Sequence, residues 1–214
     1  MTLHAATRLA TNTIPILHEV ITGLRADGFD IEVDQTDSLG EPDLLFACGL
    51  LTVQMIDADA PYSIVAAPIF PGETEPVYRS VIIARSSSTD EVMAVNEYGS
   101  WSGWHGYLAD GRPSPRDVVL TGAHVDSVAA VVAGDADFAA IDSSIWNDLV
   151  ARDEVGEEIV VVGETRDYPA PPLSLHDRVC GAERAGLIDA LCSLAGVRPI
   201  GVDAYESMRS AGGS

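Results

Sequence analysis

Two serines one residue apart, Ser100 and Ser102, lead into Gly103, and a histidine, His124, follows Thr121-Gly122-Ala123 about twenty positions later. Hydroxyls, a glycine and an imidazole at this spacing suit the binding of an oxyanion. The run from Val92 to Val95 predicts a strand, the Gly/Ser stretch after it a turn, and the residues beyond Ser102 a helix. The serine hydroxyls and the unpaired backbone N–H groups then gather at a helix N-terminus, an end that carries partial positive charge. Phosphate, phosphonate, sulfate and carboxylate all fit such a pocket. Glu97 stands beside it, and a carboxylate there repels an anion unless it is protonated or turned away. It would equally accept a hydrogen bond from an amino or hydroxyl group.

Each of these residues has a plainer reading. Ser100 and Ser102 suit helix caps, His124 suits a structural role at a helix start, and Asp142 suits the cap of the helix that begins at Ser143. Trp101 and Trp104, three apart, share one helix face, and one of the two is expected in the core. Nucleophilic serine chemistry of the G-x-S-x-G kind needs serine where Trp101 stands. His105, His124 and His176 lack paired metal-ligand spacing, and no glycine-rich loop matches a dinucleotide or Walker fingerprint. Neither a metal nor a cofactor is expected.

The elements that position these residues alternate between helix and strand. Thr13-Ile14-Pro15 reads as a helix start, with Leu17, Val20, Ile21 and Leu24 as an apolar stripe ending at Gly28. Strand signals follow over 29–33, 43–47, 62–67 and 77–85, the last long enough to cross between lobes. After the break at Ser86-Ser87-Ser88 come the strand and turn described above, then a helix over 124–133 stopping at Gly134. A strand over 138–141, a helix over 143–151 and a strand over 158–162 complete that segment. Tyr168-Pro169-Ala170-Pro171-Pro172 predicts a stiff, extended crossover, and a last amphipathic helix is expected over 177–195, using Val179, Leu187, Leu191 and Leu194. This order predicts α/β lobes with mixed, mainly parallel sheets. Only the short Ser-Ala-Gly-Gly-Ser tail has low complexity.

At 214 residues the chain can build one large domain or two small lobes with real cores. Its mean hydropathy of +0.16 is high, yet every apolar run is broken before the roughly 18 residues a membrane helix needs. Membrane insertion is not expected. The formal charge is −21, from 33 acidic and 12 basic residues, and every basic residue is arginine. Without lysine there is no Schiff base, no pyridoxal phosphate attachment and no Walker lysine. The acidity argues against nucleic acid or anionic lipid as a partner. Cys48, Cys180 and Cys192 show no metal spacing, and the last two, twelve apart on one expected helix, stand about 18 Å apart, too far for a disulfide.

Four blocks in order resemble the phosphate/phosphite/phosphonate solute-binding family of ABC transporters, which has the type 2 periplasmic-binding-protein fold. They are Phe46-Ala47-Cys48-Gly49; Ala67-Pro68-Ile69-Phe70 with Tyr78 to Arg85; Val95-Asn96-Glu97 with Ser100-x-Ser102-Gly103; and Gly122-Ala123-His124 through to Asp142-Ser143. The resemblance implies two lobes, residues 1–84 with 168–214 and residues 85–167, closing about a hinge on a small anionic ligand. It implies Ser100, Ser102, His124 and Tyr78 as contacts, with Trp101, Gly103, Asp142, Ser143 and Glu97 around the same cleft. It also implies an ABC permease or a signalling protein as partner. The chain departs from the family at Leu50 and Leu51, where relatives often place a tyrosine, and at Trp101, where they place a small polar residue.

The expectation is therefore a solute-binding protein or sensor rather than an enzyme. Two alternatives stand: an enzyme on the same fold acting on a small carboxylate or aromatic acid, and a degenerate interaction module. Met1-Thr2-Leu3-His4 shows no basic region, apolar core or lipidation cysteine, so no secretory signal is expected. That places the chain in the cytoplasm, or in the periplasm or outside the cell if it is a trimmed mature form.

Overall fold

The computed structural model describes residues 2–9, 13–33, 41–86 and 91–211. Ser87-Ser88 of the expected break and the Gly-Gly-Ser end of the tail lie outside them. The chain divides into two compact units, and it passes between them twice: the first unit runs to Val77 and again over Pro169–Ser210, the second over Tyr78–Tyr168. The sequence reading put the first boundary at residue 84. The difference has a structural cause, because the expected strand 77–85 is two strands: β5 (Val77–Tyr78) and β6 (Ser80–Arg85), with β6 wholly in the sheet of the second unit.

The first unit is built on a six-stranded sheet. In chain order its elements are β1 (Leu3–Thr7), α1 (Ile14–Ala26), β2 (Ile31–Val33), β3 (Leu44–Phe46), α2 (Gly49–Asp57) and β4 (Tyr62–Pro68). After the second unit come β12 (Leu173–His176), α6 (Gly181–Ser193), β13 (Val197–Pro199), a 3₁₀ turn at Val202–Tyr205 and α7 (Glu206–Ala211). The spatial order is β13-β4-β12-β3-β1-β2. Helix α1 forms where the apolar stripe predicted it, with Pro15 in its first turn and Leu17, Val20, Ile21 and Leu24 buried. These side chains join Leu44, Phe46, Leu175, Leu187 and Leu191 in the main core on one face of the sheet. Helix α6 starts at Gly181 rather than 177, and Val179 is buried in the turn before it.

The second unit has a five-stranded sheet in the order β10-β6-β9-β7-β8. Its remaining elements are β7 (Val92–Val95), a π-helical turn at Trp101–His105 running into α3 (Gly106–Ala109), β8 (Asp117–Leu120), α4 (His124–Ala133), β9 (Phe138–Asp142), α5 (Ser143–Ala151), β10 (Ile159–Glu164) and β11 (Tyr168–Pro169). Alternation along β6 sorts two cores. Val81 and Ile83 face α4 and α5, with Val128, Val131, Ile145 and Trp146, while Ile82 and Ala84 face the other side, with Tyr107 and Phe138. Helix α4 stops at Gly134 as expected, because Gly134 takes φ 83°, a left-handed value that closes the last turn without a Cβ penalty.

Mixed sheets were expected, with parallel pairing dominant. Across the two large sheets four neighbouring pairs are parallel and five antiparallel. The cause is the double crossing. On entering the second unit β6 starts with Ser80 opposite Asp142, the last residue of β9. On re-entering the first, β12 starts with Leu173 opposite Phe46, the last residue of β3. Each returning strand thus begins where the parallel strands end and must run against them.

Candidate functional site

In the second unit β7, β8 and β9 are parallel neighbours, and the connections that leave their carboxyl ends carry the residues singled out above. Ser100 to Gly103 follow β7, His124 follows β8, and Asp142 ends β9. Since β7 lies between β9 and β8, this end of the sheet is the switch point of the topology, where open α/β sheets take their ligands.

The turn after β7 is shaped by its own hydrogen bonds. Ser100 has extended backbone and its Oγ accepts from Gly103 N at 3.0 Å, so it is a cap, as its plainer reading held. His105 N donates to Ser100 O, an i to i+5 bond that makes the turn π-helical rather than α-helical. Gly103 has a steric reason: a Cβ there would lie 1.8 Å from Asn96 Oδ1. Trp101 goes inward, 1% exposed, edge-on to the Tyr168 ring at 4.9 Å and stacked on His105. Of the Trp101/Trp104 pair Trp101 is therefore the core member, and among the described residues its Nε1 is buried without a hydrogen-bond partner. Trp104 is only partly buried and meets Tyr98 edge-on.

Ser102 does something different. Its Oγ lies 3.0 Å from His124 Nε2, with both residues buried. Its carbonyl accepts from Ser80 Oγ at 2.8 Å, and Ser80 is the cross-strand partner of Asp142. Among the described residues His124 Nδ1 is buried without a hydrogen-bond partner of good geometry. Burial pushes the ring below its ordinary value, opposed by the Asp142 charge and by the nearby Ala140 carbonyl. His124 is thus a neutral imidazole held beside a serine hydroxyl. Asp142 caps α5: its Oδ1 accepts from Ser144 N at 2.9 Å and Ser144 Oγ at 2.7 Å. Ser143 N is taken by Arg79 O.

Ser102, His124 and Asp142 come together, joined through Ser80, and Ser100 with Gly103 supports them. Tyr78 is buried on β5, two residues before Ser80. Glu97 is exposed, and the turn uses its backbone carbonyl, which accepts from Ser100 N. Turned outward, it is one of the two cases that relieve the repulsion. Five of the six arginines of this unit bond groups elsewhere: Arg79 with Asp167 at 2.8 Å and Glu164 at 3.9 Å, Arg112 with Asp110, Arg116 with Glu91, Arg152 with Asp148 and Arg166 with the Tyr168 hydroxyl. The group holds hydroxyls, an imidazole and helix-start N–H groups, with no arginine. Among the described residues no cluster of His, Cys, Asp and Glu could hold a metal ion.

Residues 111–212, just under half of the chain, match the family model of the periplasmic substrate-binding protein of phosphonate ABC transporters. The match includes His124 and Asp142 and begins after Ser102. None of the curated proteins compared with the chain matches it. Among solved structures, PhnD1 of Prochlorococcus marinus in complex with methylphosphonate aligns with a TM-score of 0.76 at 12% identity, covering 99% of this chain and 97% of that one. A binding-protein component of an ABC phosphonate transporter from Pseudomonas aeruginosa aligns at 0.69 with 14% identity, covering 98% and 85%. A Candida albicans protein described as having the generic periplasmic binding protein fold aligns at 0.60 with 12% identity, covering 99% and 90%. The chain has the periplasmic-binding-protein fold. The resemblance read from its motifs is to the same phosphonate-binding proteins that the family model and these structures bring up.

Within the binding fold, two residues matter that the sequence reading named only within the resemblance blocks, without a role. Ser80 ties β6 to the turn through its hydroxyl, and its N–H and carbonyl both bond Thr165. Asn96 follows β7: its carbonyl accepts from Gly122 N on the way to His124, and its side chain fills the notch left by Gly103. An Asn between an apolar strand and a Gly/Ser turn was the available signal for the second. Nothing in sequence marks Ser80 apart from its neighbours.

Proposed function

We propose that the protein binds a small phosphate- or phosphonate-like oxyanion as a solute-binding component or sensor, with Ser102 and His124 as its central contacts. The observation that carries this reading is the buried Ser102 Oγ to His124 Nε2 pair at 3.0 Å, set at the carboxyl ends of three parallel strands. A buried hydroxyl and imidazole beside helix-start N–H groups can donate to anionic oxygens. Ser100, Gly103, Asp142, Ser143 and Tyr78 complete the proposed half-site. By the family resemblance, ligand binding is proposed to drive closure about a hinge. PhnD1, a similar structure, is complexed with methylphosphonate, and the matched family is periplasmic and delivers ligand to an ABC transporter. By that likeness an ABC permease is the proposed partner and the periplasmic side of a membrane the proposed place of action.

Titration calorimetry with phosphate, phosphite and methylphosphonate tests the proposal. A dissociation constant in the micromolar range or below for one of them, weakened by about 1 to 3 kcal/mol in Ser102→Ala, is the expected result. No heat with any of the three would remove the phosphorus-oxyanion reading, and an affinity that Ser102→Ala leaves unchanged would remove Ser102 as a contact.

A further inference from the structure

A cavity of about 520 Å³ opens in the first unit, lined by α1, the end of β4 and the turn between α6 and β13. Helix α1 contributes Ile16, Glu19, Val20 and Gly23, whose spacing of three and four places them on one face. Gly23 stands inside the helix, where glycine is unfavourable, and Leu194 is its structural reason: a Cβ on Gly23 would lie 2.5 Å from Leu194 Cδ2. The missing side chain lets the turn approach α1. The same turn is fastened to the end of β4, because Ile69 N donates to Gly196 O at 2.8 Å, and to itself through Val197 N and Leu194 O at 3.1 Å. Pro68 and Pro71, on either side of Ile69, have fixed φ and no N–H to satisfy. These walls are preformed, and their backbone donors are already used.

The lining is apolar with a single charge. Thr22 directs its hydroxyl to His18 O at 2.7 Å, and Glu19 is the one charged side chain on the cavity among the described residues. Cavities of this size enclose small organic molecules, apolar walls supplying affinity and a few polar groups orientation. An inorganic oxyanion finds no side-chain donor to hold it here, and an organic anion meets the Glu19 carboxylate. An organic cation meets a partner instead, and the chain's −21 charge acts in the same direction. We infer that this cavity is a second binding site, for a small organic cation with an apolar body, an aryl or alkyl amine seated against Val20, Ile69 and Leu194 with its ammonium at Glu19. The site stands independently of the oxyanion reading.

The test is a fluorescence titration with two probes that share an apolar dansyl ring and a short alkyl tail: dansylcadaverine, which ends in an ammonium, and dansyl-6-aminohexanoic acid, which ends in a carboxylate. Sodium chloride at about 0.15 M screens the long-range field beyond about 8 Å, so a difference between the probes reports a local charge. Dansylcadaverine is expected to bind saturably with a blue shift, about 3- to 10-fold tighter than the acid, as one exposed charge contact counted once in attraction and once in repulsion gives. In Glu19→Gln that preference should collapse toward one. Ala195→Trp fills the cavity from its exposed rim and should weaken dansylcadaverine about tenfold or more by steric exclusion. Equal affinity of the two probes for the wild type overturns the cationic ligand class. No saturable binding of either probe, or binding that Ala195→Trp leaves unchanged at the wild-type melting temperature, overturns the site. A preference that survives in Glu19→Gln overturns Glu19 as the partner of the ammonium. The wild-type comparison needs no variant, so the inference is exposed even if Ala195→Trp does not fold.

Discussion

Gly103 and Asn96 show how a single side chain can be required by another. With Asn96 Oδ1 1.8 Å from where a Gly103 Cβ would stand, Gly103→Ala must push either the Asn96 amide or the Ser102 turn aside. The expected loss is about 1 to 3 kcal/mol in urea unfolding, typical of overpacking. Asn96→Ala made with it should restore part of that, a non-additivity measured by the double-mutant cycle. His124 gives a second test. Burial lowers its pKa from the ordinary 6.5, so the folded protein resists protonation that the unfolded chain accepts. Stability from the neutral ring is full above pH 6.5 and is lost as pH falls through the lowered value. The fall in melting temperature from pH 7 to pH 5 should be smaller in His124→Gln than in the wild type. At this scale the sequence singled out Ser102 and His124, whose side chains the structure brings within 3.0 Å of each other, because hydroxyl, glycine and imidazole types mark themselves. The inward turn of Trp101 was not legible, since it depends on a π-helical bond from His105 N to Ser100 O that no apolar periodicity encodes.

Among the elements, the periodic helices read well and the short strands unevenly: β2, β3 and β7 formed within their expected spans, and others were missed. Helices α1, α4 and α5 formed where apolar stripes and caps placed them. Strands β1, β8 and β13, of three to five residues, have too few positions for alternation to show. Helix α2 escaped because it starts at Gly49 with no side-chain cap at Cys48. Its glycine makes sense only in three dimensions: a Cβ on Gly49 would lie 2.8 Å from Met208 Sδ and from the Tyr205 ring. Tyr205 and Met208 are fully buried, and Arg209 pairs with Asp57 at the far end of α2. The C-terminal elements thus pack along α2, and Gly49 is what lets them approach. Gly49→Ala should cost about 1 to 3 kcal/mol by overpacking. Melting curves of the variant, with and without Met208→Ala, check this: the second change should recover part of the loss.

Over the whole molecule the governing quantity is charge. A chain at −21 with 12 arginines and no lysine carries many carboxylates with no positive neighbour. The folded state brings these together more closely than the unfolded chain does, so self-repulsion works against folding. Among the described residues the ion pairs are mostly on exposed side chains, such as Arg116 with Glu91 and Arg152 with Asp148, and pairs of that kind contribute little. Long-range repulsion between unpaired carboxylates is therefore the larger electrostatic effect, and it is the one that salt screens, over about 10 Å at 0.1 M. Raising sodium chloride from 10 mM to 200 mM should raise the melting temperature, where a protein held by surface ion pairs would lose stability. Sodium chloride is the right probe, since sulfate and phosphate would mix screening with occupancy of the site and with surface exclusion. A melting temperature that falls with added chloride would mean that the ion pairs, and not the unpaired carboxylates, dominate the electrostatics of this fold.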